Sequence, residues 1–183
     1  MNNKIVKLSM VLFVICAITA GILGIVNALT WERIDQITHQ KEYEAYAAVL
    51  GSESGYTAVD FDKTAFPSVD SVNQSNDGNG YVVTSTFSGA QGSITMACGV
   101  GNDLKCTGIS IIEHSETSGL GAVAASASDA GVAFREQFIG VGENVTVKDI
   151  DAIAGATITS TAVTNAVATS ITTVKTIEGG AAA

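Results

Sequence analysis

The run Asp151-Ala152-Ile153-Ala154-Gly155-Ala156-Thr157-Ile158-Thr159-Ser160 holds small residues and hydroxyls at a spacing that suits a phosphate. It reads as the end of an extended segment, a small-residue turn and the first turn of a helix. A helix N-terminus leaves about four N–H groups unpaired and carries roughly half a positive charge, so it attracts an anion without a basic side chain. Gly155 and Ala156 let a ligand approach the backbone closely, and the hydroxyls of Thr157, Thr159 and Ser160 can donate to phosphate oxygens. On spacing alone, an ordinary strand–turn–helix with Thr159 or Ser160 as its cap accounts for the same residues.

A second segment with reactive side chains is Glu113-His114-Ser115-Glu116-Thr117-Ser118-Gly119-Leu120-Gly121. Two glycines in its last three residues rule out a regular strand throughout. His114 and Glu116 are the types used in general acid–base chemistry, although His114 serves equally well for a local hydrogen bond. No nucleophile elbow accompanies His114, so a Ser-His-Asp hydrolase is not supported. His39 falls in a polar, helical stretch and reads as a solvated surface residue. Cys16 lies in an apolar run, while Cys98 and Cys106 flank the turn Gly101-Asn102-Asp103. No CxxC spacing occurs, so a zinc or iron–sulfur site within this chain is not expected. Two readings of Cys98 and Cys106 stand side by side: a cross-strand disulfide or a pair of buried thiols.

The elements that position these groups begin at the N-terminus. No charged residue occurs from Leu8 to Trp31, and roughly 20 apolar residues suffice to cross about 30 Å of hydrocarbon. Lys4 and Lys7 precede the run, while Glu32 and Asp35 follow it, offset by Arg33. The positive-inside rule then puts the N-terminus in the cytoplasm and residues 32–183 outside. Trp31 sits where an interfacial anchor belongs. The alternative is a cleaved signal peptide with small residues at Val26-Asn27-Ala28, whose apolar core would run about 7–15 residues. Either way the domain leaves the cytoplasm.

Net charge is −9 over 183 residues, and Lys4 and Lys7 are the only charges before residue 30, so the remainder carries −11. Such a domain is a poor partner for nucleic acid or for an anionic lipid surface. With 19 glycines against 1 proline, tight turns are expected, not Pro-rich linkers. Trp31 to Leu50 has helical spacing at Ile34, Ile37, Tyr43 or Tyr46, and Leu50. Loops with one or two short strands are expected from Gly51 to Gly80, ending in the turn Asn76-Asp77-Gly78-Asn79-Gly80. Strands are predicted over 81–87, 93–100 and 106–112 as an antiparallel meander. Residues 122–138 are expected to be helical in part, Val145-Thr146-Val147 a short strand, and 161–176 a final helix with Val163, Val167 and Val174 on its apolar face. From Glu178 onward a flexible tail is expected.

The pattern Asp151-x-x-x-Gly155-Ala156-Thr157-x-Thr159-Ser160 resembles the flavinylation motif of FMN-binding domains. Glu116-Thr117-Ser118-Gly119-Leu120-Gly121 resembles that family's Glu-Thr-Pro-Gly-Leu-Gly loop, which lines the flavin site. The two motifs occur in the family's order, and the strands from Tyr81 to Ile112 match its layout, so the resemblance spans residues 80–176. It implies an α+β fold: an N-terminal transmembrane helix, then an FMN-binding domain with an antiparallel sheet and flanking helices. The expected divisions are a cytoplasmic N-terminus at 1–7, a transmembrane helix at 8–31, a helical stalk and irregular segment at 32–80, the domain core at 81–177 and the tail at 178–183.

The resemblance also implies FMN joined covalently, through its phosphate, to Thr157 by a flavin transferase that uses FAD. Glu116, Thr117, Gly119, Leu120, Gly121, Gly155, Ala156, Ile158, Thr159 and Ser160 are the implied contacts, with no metal. Ala154 stands where the motif commonly has Ser or Thr, and Ser118 replaces a proline, losing a fixed φ. One membrane helix followed by one such domain is similar to the G subunits of Rnf complexes, which couple ferredoxin:NAD electron flow to ion pumping. The same layout occurs in the longer C subunits of sodium-pumping NADH:quinone reductases. Other membrane subunits, including a neighbouring flavin- or iron–sulfur-carrying one, are then the implied partners. Two further readings are a free-standing extracytoplasmic flavinylated module and a secreted, non-redox binding domain.

Overall fold

In a computed structural model that describes residues 2–52 and 54–181, the chain opens with one helix, α1, from Asn2 to Leu50. The chain divides into two units, Met1–Gln40 and Lys41–Ala183. In the first, Lys4–Trp31 is long and apolar enough to cross a membrane, with a mean hydropathy of 2.6 and none of its most apolar window buried. At 1.5 Å per residue it covers about 42 Å, more than the hydrocarbon thickness. Thr19 and Thr30 return their hydroxyls to the carbonyls of Ile15 and Val26 at 3.0 and 2.8 Å, which spares a lipid-facing helix unpaired donors. The side chains of Glu32, Ile34 and Asp35, used in the charge and stalk arguments, lie outside the described residues.

The second unit is built on a five-stranded antiparallel meander in sequence order: β1 Tyr56–Val59, β2 Val69–Ser75, β3 Gly80–Ser88, β4 Ser93–Gly101 and β5 Cys106–His114. Side chains alternate between the two faces of a strand. Tyr81 and Val83 of β3, with Met96, Cys98 and Val100 of β4, face one core. Val82 and Ala97 face the other, under Ala45, Tyr46 and Val49 at the end of α1. Two joints tie that end of α1 to the sheet: Thr107 Oγ1 donates to the Val49 carbonyl at 2.5 Å, and the Tyr46 hydroxyl pairs with Thr84 Oγ1 at 2.8 Å. The compact unit thus starts at Lys41, and its sheet includes β1 and β2, upstream of residue 81 where the sequence puts the start of the core.

The first core face is covered by α2 (Asp129–Glu136) and α3 (Thr157–Ala181). On α3, Val163, Ala166, Val167, Ile171 and Val174 recur at helical spacing and are buried, so packing holds a threonine-rich helix of weak intrinsic propensity. Its threonines bond back to carbonyls four residues earlier, as Thr164 does to Ser160 and Thr173 to Thr169, both at 2.8 Å.

Several local expectations are corrected. The third predicted strand continues two residues past Ile112, to His114. Val145-Thr146-Val147 is not a strand. Thr146 instead caps a short 3-10 turn, Val147–Asp149, and its N–H and hydroxyl both reach Asp149 Oδ2 at 2.9 and 2.7 Å. The final helix starts at Thr157, not Thr161, and neither Thr159 nor Ser160 is its cap. It also runs to Ala181 through the expected tail, where half-buried Ile177 still packs on the core. Ala182 and Ala183 lie outside the described residues.

Candidate functional site

The two motifs meet at the N-terminus of α3. Gly155 holds φ +76°, which turns the chain into the helix, and a Cβ there would sit 3.1 Å from Leu120 Cδ2. The other loop is drawn in at Gly121, where a Cβ would overlap Glu116 Oε2 and lie 2.7 Å from Thr159 Oγ1. Only hydrogen at that position lets the loop close on the helix.

Three hydrogen-bonded ties fix the turn. Gln137, just after α2, accepts from Asp151 N–H at 2.7 Å and donates to the Asp151 carbonyl at 3.3 Å. Ser160 Oγ accepts from Ile153 N–H and donates to the Ala156 carbonyl, each at 3.0 Å. Ala156 N–H reaches the Ile153 carbonyl at 2.9 Å. Ser160 is therefore engaged in holding the turn that the sequence assigns to phosphate contact.

Thr159 is also engaged. It is fully buried, and its hydroxyl donates to Glu116 Oε2 at 2.5 Å, while Glu116 Oε1 accepts from Gln91 N–H at 3.0 Å. Burial alone would raise the Glu116 pKa. The Thr159 hydroxyl and the N–H groups of Gln91, Ala90 and Gly92 outweigh it and hold the carboxyl below its ordinary value. His114 makes the local contact, its Nδ1 accepting from Glu116 N–H at 3.3 Å.

Thr157 differs from every other hydroxyl residue of α3. From Thr159 to Thr176 the serine and threonine hydroxyls each donate to a carbonyl or to Glu116. Thr157 is exposed, and its hydroxyl has no hydrogen-bond partner among the described residues. The N–H groups of Thr157, Ile158 and Thr159 likewise have no acceptor among them, as expected for a first helical turn preceded by alanine, which cannot cap.

Exposed apolar side chains surround this point: Leu120 is 44% exposed and Ile158 66%. Two grooves adjoin it. One, of about 460 Å³, runs along α3 from Thr157 and Ile158 past Phe87 to Asn165 and Thr169. The other, of about 530 Å³, lies between Gly119, Phe134 and residues 151–154. An unpaired hydroxyl, free N–H groups and neighbouring apolar surface fit a phosphate-linked aromatic group such as FMN.

Of the residues implied by the resemblance, Thr157, Ile158, Leu120, Gly119, Thr117 and Gly155 are exposed around this point. Glu116, Gly121, Ala156, Thr159 and Ser160 lie buried beneath it. Phe87, Asn165 and Gln137 were not singled out from the sequence. The ridge Thr157-Thr161-Asn165-Thr169, at four-residue spacing beside the apolar stripe, is the signal that marks Asn165. Phe87 and Gln137 carry no local signal. Among the described residues no group of His, Cys, Asp and Glu could hold a metal ion.

Residues 89–172 match the FMN-binding domain family, and residues 1–49 match the RnfG N-terminal region. The chain is 30% identical to the G subunit of the ion-translocating oxidoreductase complex of Methanosarcina acetivorans, over 97% of this chain and 98% of the relative. It is 34% identical to the G subunit of the Na(+)-translocating ferredoxin:NAD(+) oxidoreductase complex of Acetobacterium woodii, over 90% and 89%. It is 30% identical to the G subunit of the proton-translocating ferredoxin:NAD(+) oxidoreductase complex of Clostridium ljungdahlii, over 98% and 96%.

Proposed function

The chain belongs to the G-subunit family of ion-translocating oxidoreductase complexes, and from that membership we propose a membrane-anchored electron-transfer subunit whose FMN is esterified through its phosphate to Thr157 Oγ1. It works as one redox part of an ion-pumping ferredoxin:NAD oxidoreductase, among other membrane subunits. The observation that carries this reading is the Thr157 hydroxyl, exposed and without a partner among the described residues.

FMN bound there supplies one-electron redox chemistry. The chain's own residues do the rest. Thr157 provides the ester oxygen, and the first N–H groups of α3 balance the phosphate charge. Leu120 and Ile158 offer apolar surface on either side. Attachment by a flavin transferase is a substitution at phosphorus. The Thr157 oxygen forms the new P–O bond, the pyrophosphate link of FAD breaks, AMP leaves and the hydroxyl proton is released, with no change of oxidation state.

Lys4 and Lys7 ahead of the apolar span put the N-terminus in the cytoplasm and the flavin domain outside. The anchor then tethers the flavin domain to the membrane that holds the neighbouring proteins of the complex.

The test is co-expression with a flavin transferase, followed by flavin fluorescence in a denaturing gel. The unaltered chain should fluoresce and Thr157→Val should not; a fluorescent Thr157→Val band would move the ester to another residue. Protease added outside intact cells should remove the domain, and protection would reverse the orientation.

A further inference from the structure

We propose that Glu116 is a positioning residue: its carboxylate ties the first turn of α3 to the β3–β4 hairpin and so fixes where Thr157 Oγ1 is presented for flavin attachment. The proposal rests on Thr157 as the attachment point.

Three segments distant in sequence converge on this one carboxylate. Its own loop carries it, Oε1 accepts from Gln91 N–H in the hairpin at 3.0 Å, and Oε2 accepts from Thr159 Oγ1 on α3 at 2.5 Å. The group is only 8% exposed, and Gly89 and Gly121 press on it so closely that a Cβ at either would overlap an oxygen. No cation pairs with it among the described residues. Its charge is met by hydrogen-bond donors and by the positive end of α3, an arrangement that favours one geometry.

Both oxygens are engaged inside the fold, so Glu116 acts through Thr159. Thr159 shares a helical turn with Thr157, and a shift at one moves the other. Positional tolerance in a bond-forming step is narrow: a displacement of about 1 Å can cost on the order of a hundredfold in rate.

The chemistry of the pair defines the variants. Glu116→Gln offers one acceptor oxygen where two donors need one each. Thr159→Val keeps the shape and removes the donor, and Thr159→Ser restores it. Glu116→Asp keeps the charge but withdraws it by one methylene. Each full-length variant is co-expressed with the flavin transferase, the rate of covalent attachment is followed by intact mass, and folding is followed by circular dichroism.

Thr159→Val and Glu116→Gln should slow attachment by about tenfold or more while keeping the folded spectrum. Thr159→Ser should restore the rate. The double variant should be no slower than the slower single one, because both changes break the same tie. Attachment at the unaltered rate in folded Thr159→Val or Glu116→Gln overturns the proposal. If those two do not fold, Glu116→Asp decides: slowed attachment supports the tie and an unchanged rate refutes it. Failure of the unaltered chain to take up flavin would instead refute Thr157 as the attachment point.

Discussion

Thr157 and Thr159 share the first turn of α3 and face opposite environments. Thr157 Oγ1 is exposed with no partner among the described residues, while buried Thr159 Oγ1 donates to Glu116 Oε2 at 2.5 Å. Two residues along an α-helix are rotated by about 200°. With the inner face of α3 packed on the sheet, one threonine must point inward when the other points out. A single turn thereby supplies both a structural tie and an exposed hydroxyl without a partner among the described residues.

Gly155→Ala tests the turn that starts this arrangement. At φ +76° an L side chain costs about 1–2 kcal/mol, and the added Cβ lies 3.1 Å from Leu120 Cδ2. The expected outcome is a Tm lowered by roughly 3–6 °C for a domain of this size, with reduced flavin attachment. An unchanged melt would show that alanine meets no strain there.

Glu116 gives stability a direction with pH. Its folded pKa is lowered, because hydrogen bonds from Thr159 and the 90–92 backbone outweigh the effect of burial. A lowered carboxyl pKa contributes stability above its unfolded value of about 4.3, and that contribution is lost as pH falls through the folded value. The Tm gap between the unaltered chain and Glu116→Gln should therefore be widest near neutrality and close below about pH 4. A gap that does not change between neutral and acid pH would contradict the assignment.

Cys98 and Cys106 are buried on the same sheet face with sulfurs 3.7 Å apart, as free thiols. Donation of the Cys98 thiol to Cys106, together with burial, holds Cys98 well above its usual pKa, while the same bond lowers that of Cys106, so burial of both sulfurs is what keeps reagent away. In a Cys16→Ser background, the native protein should not react with maleimide. Denaturation without reductant should add two labels by intact mass. Labelling only after reduction would establish a disulfide instead.

Core and surface substitutions should separate sharply. Phe138 is fully buried and packs edge-on against Phe134 at 5.4 Å. Phe138→Ala should lose about 3–5 kcal/mol, read as a lower urea midpoint with the same slope. Lys175→Ala removes an ion pair whose partners are 53% and 31% exposed, and should cost less than about 1 kcal/mol. Equal losses in both would mean the Phe138 site collapses on truncation.

Local patterns made much of the architecture legible. A charge-free, mostly apolar run from Leu8 to Trp31 marked the membrane span, and glycine-rich turns separated strands that pair in sequence order. The misjudged elements have separate causes. Val145-Thr146-Val147 has strand-type side chains, but the Asp149 carboxylate captures both Thr146 donors and winds the segment into a turn. Gly179 and Gly180 argue against helix by propensity, yet Ile177 packing on the core carries α3 past Glu178.

The sequence by itself determined that a membrane anchor leads into a sheet domain, and that three hydroxyls stand at the start of a helix, because these follow from composition and short spacing. Only the tertiary structure decided which hydroxyl is free. Ser160 is engaged with Ile153 and Ala156, and Thr159 with a carboxylate 43 residues earlier. That choice depends on how the helix seats against the sheet and the 116–121 loop, which nothing within the motif encodes.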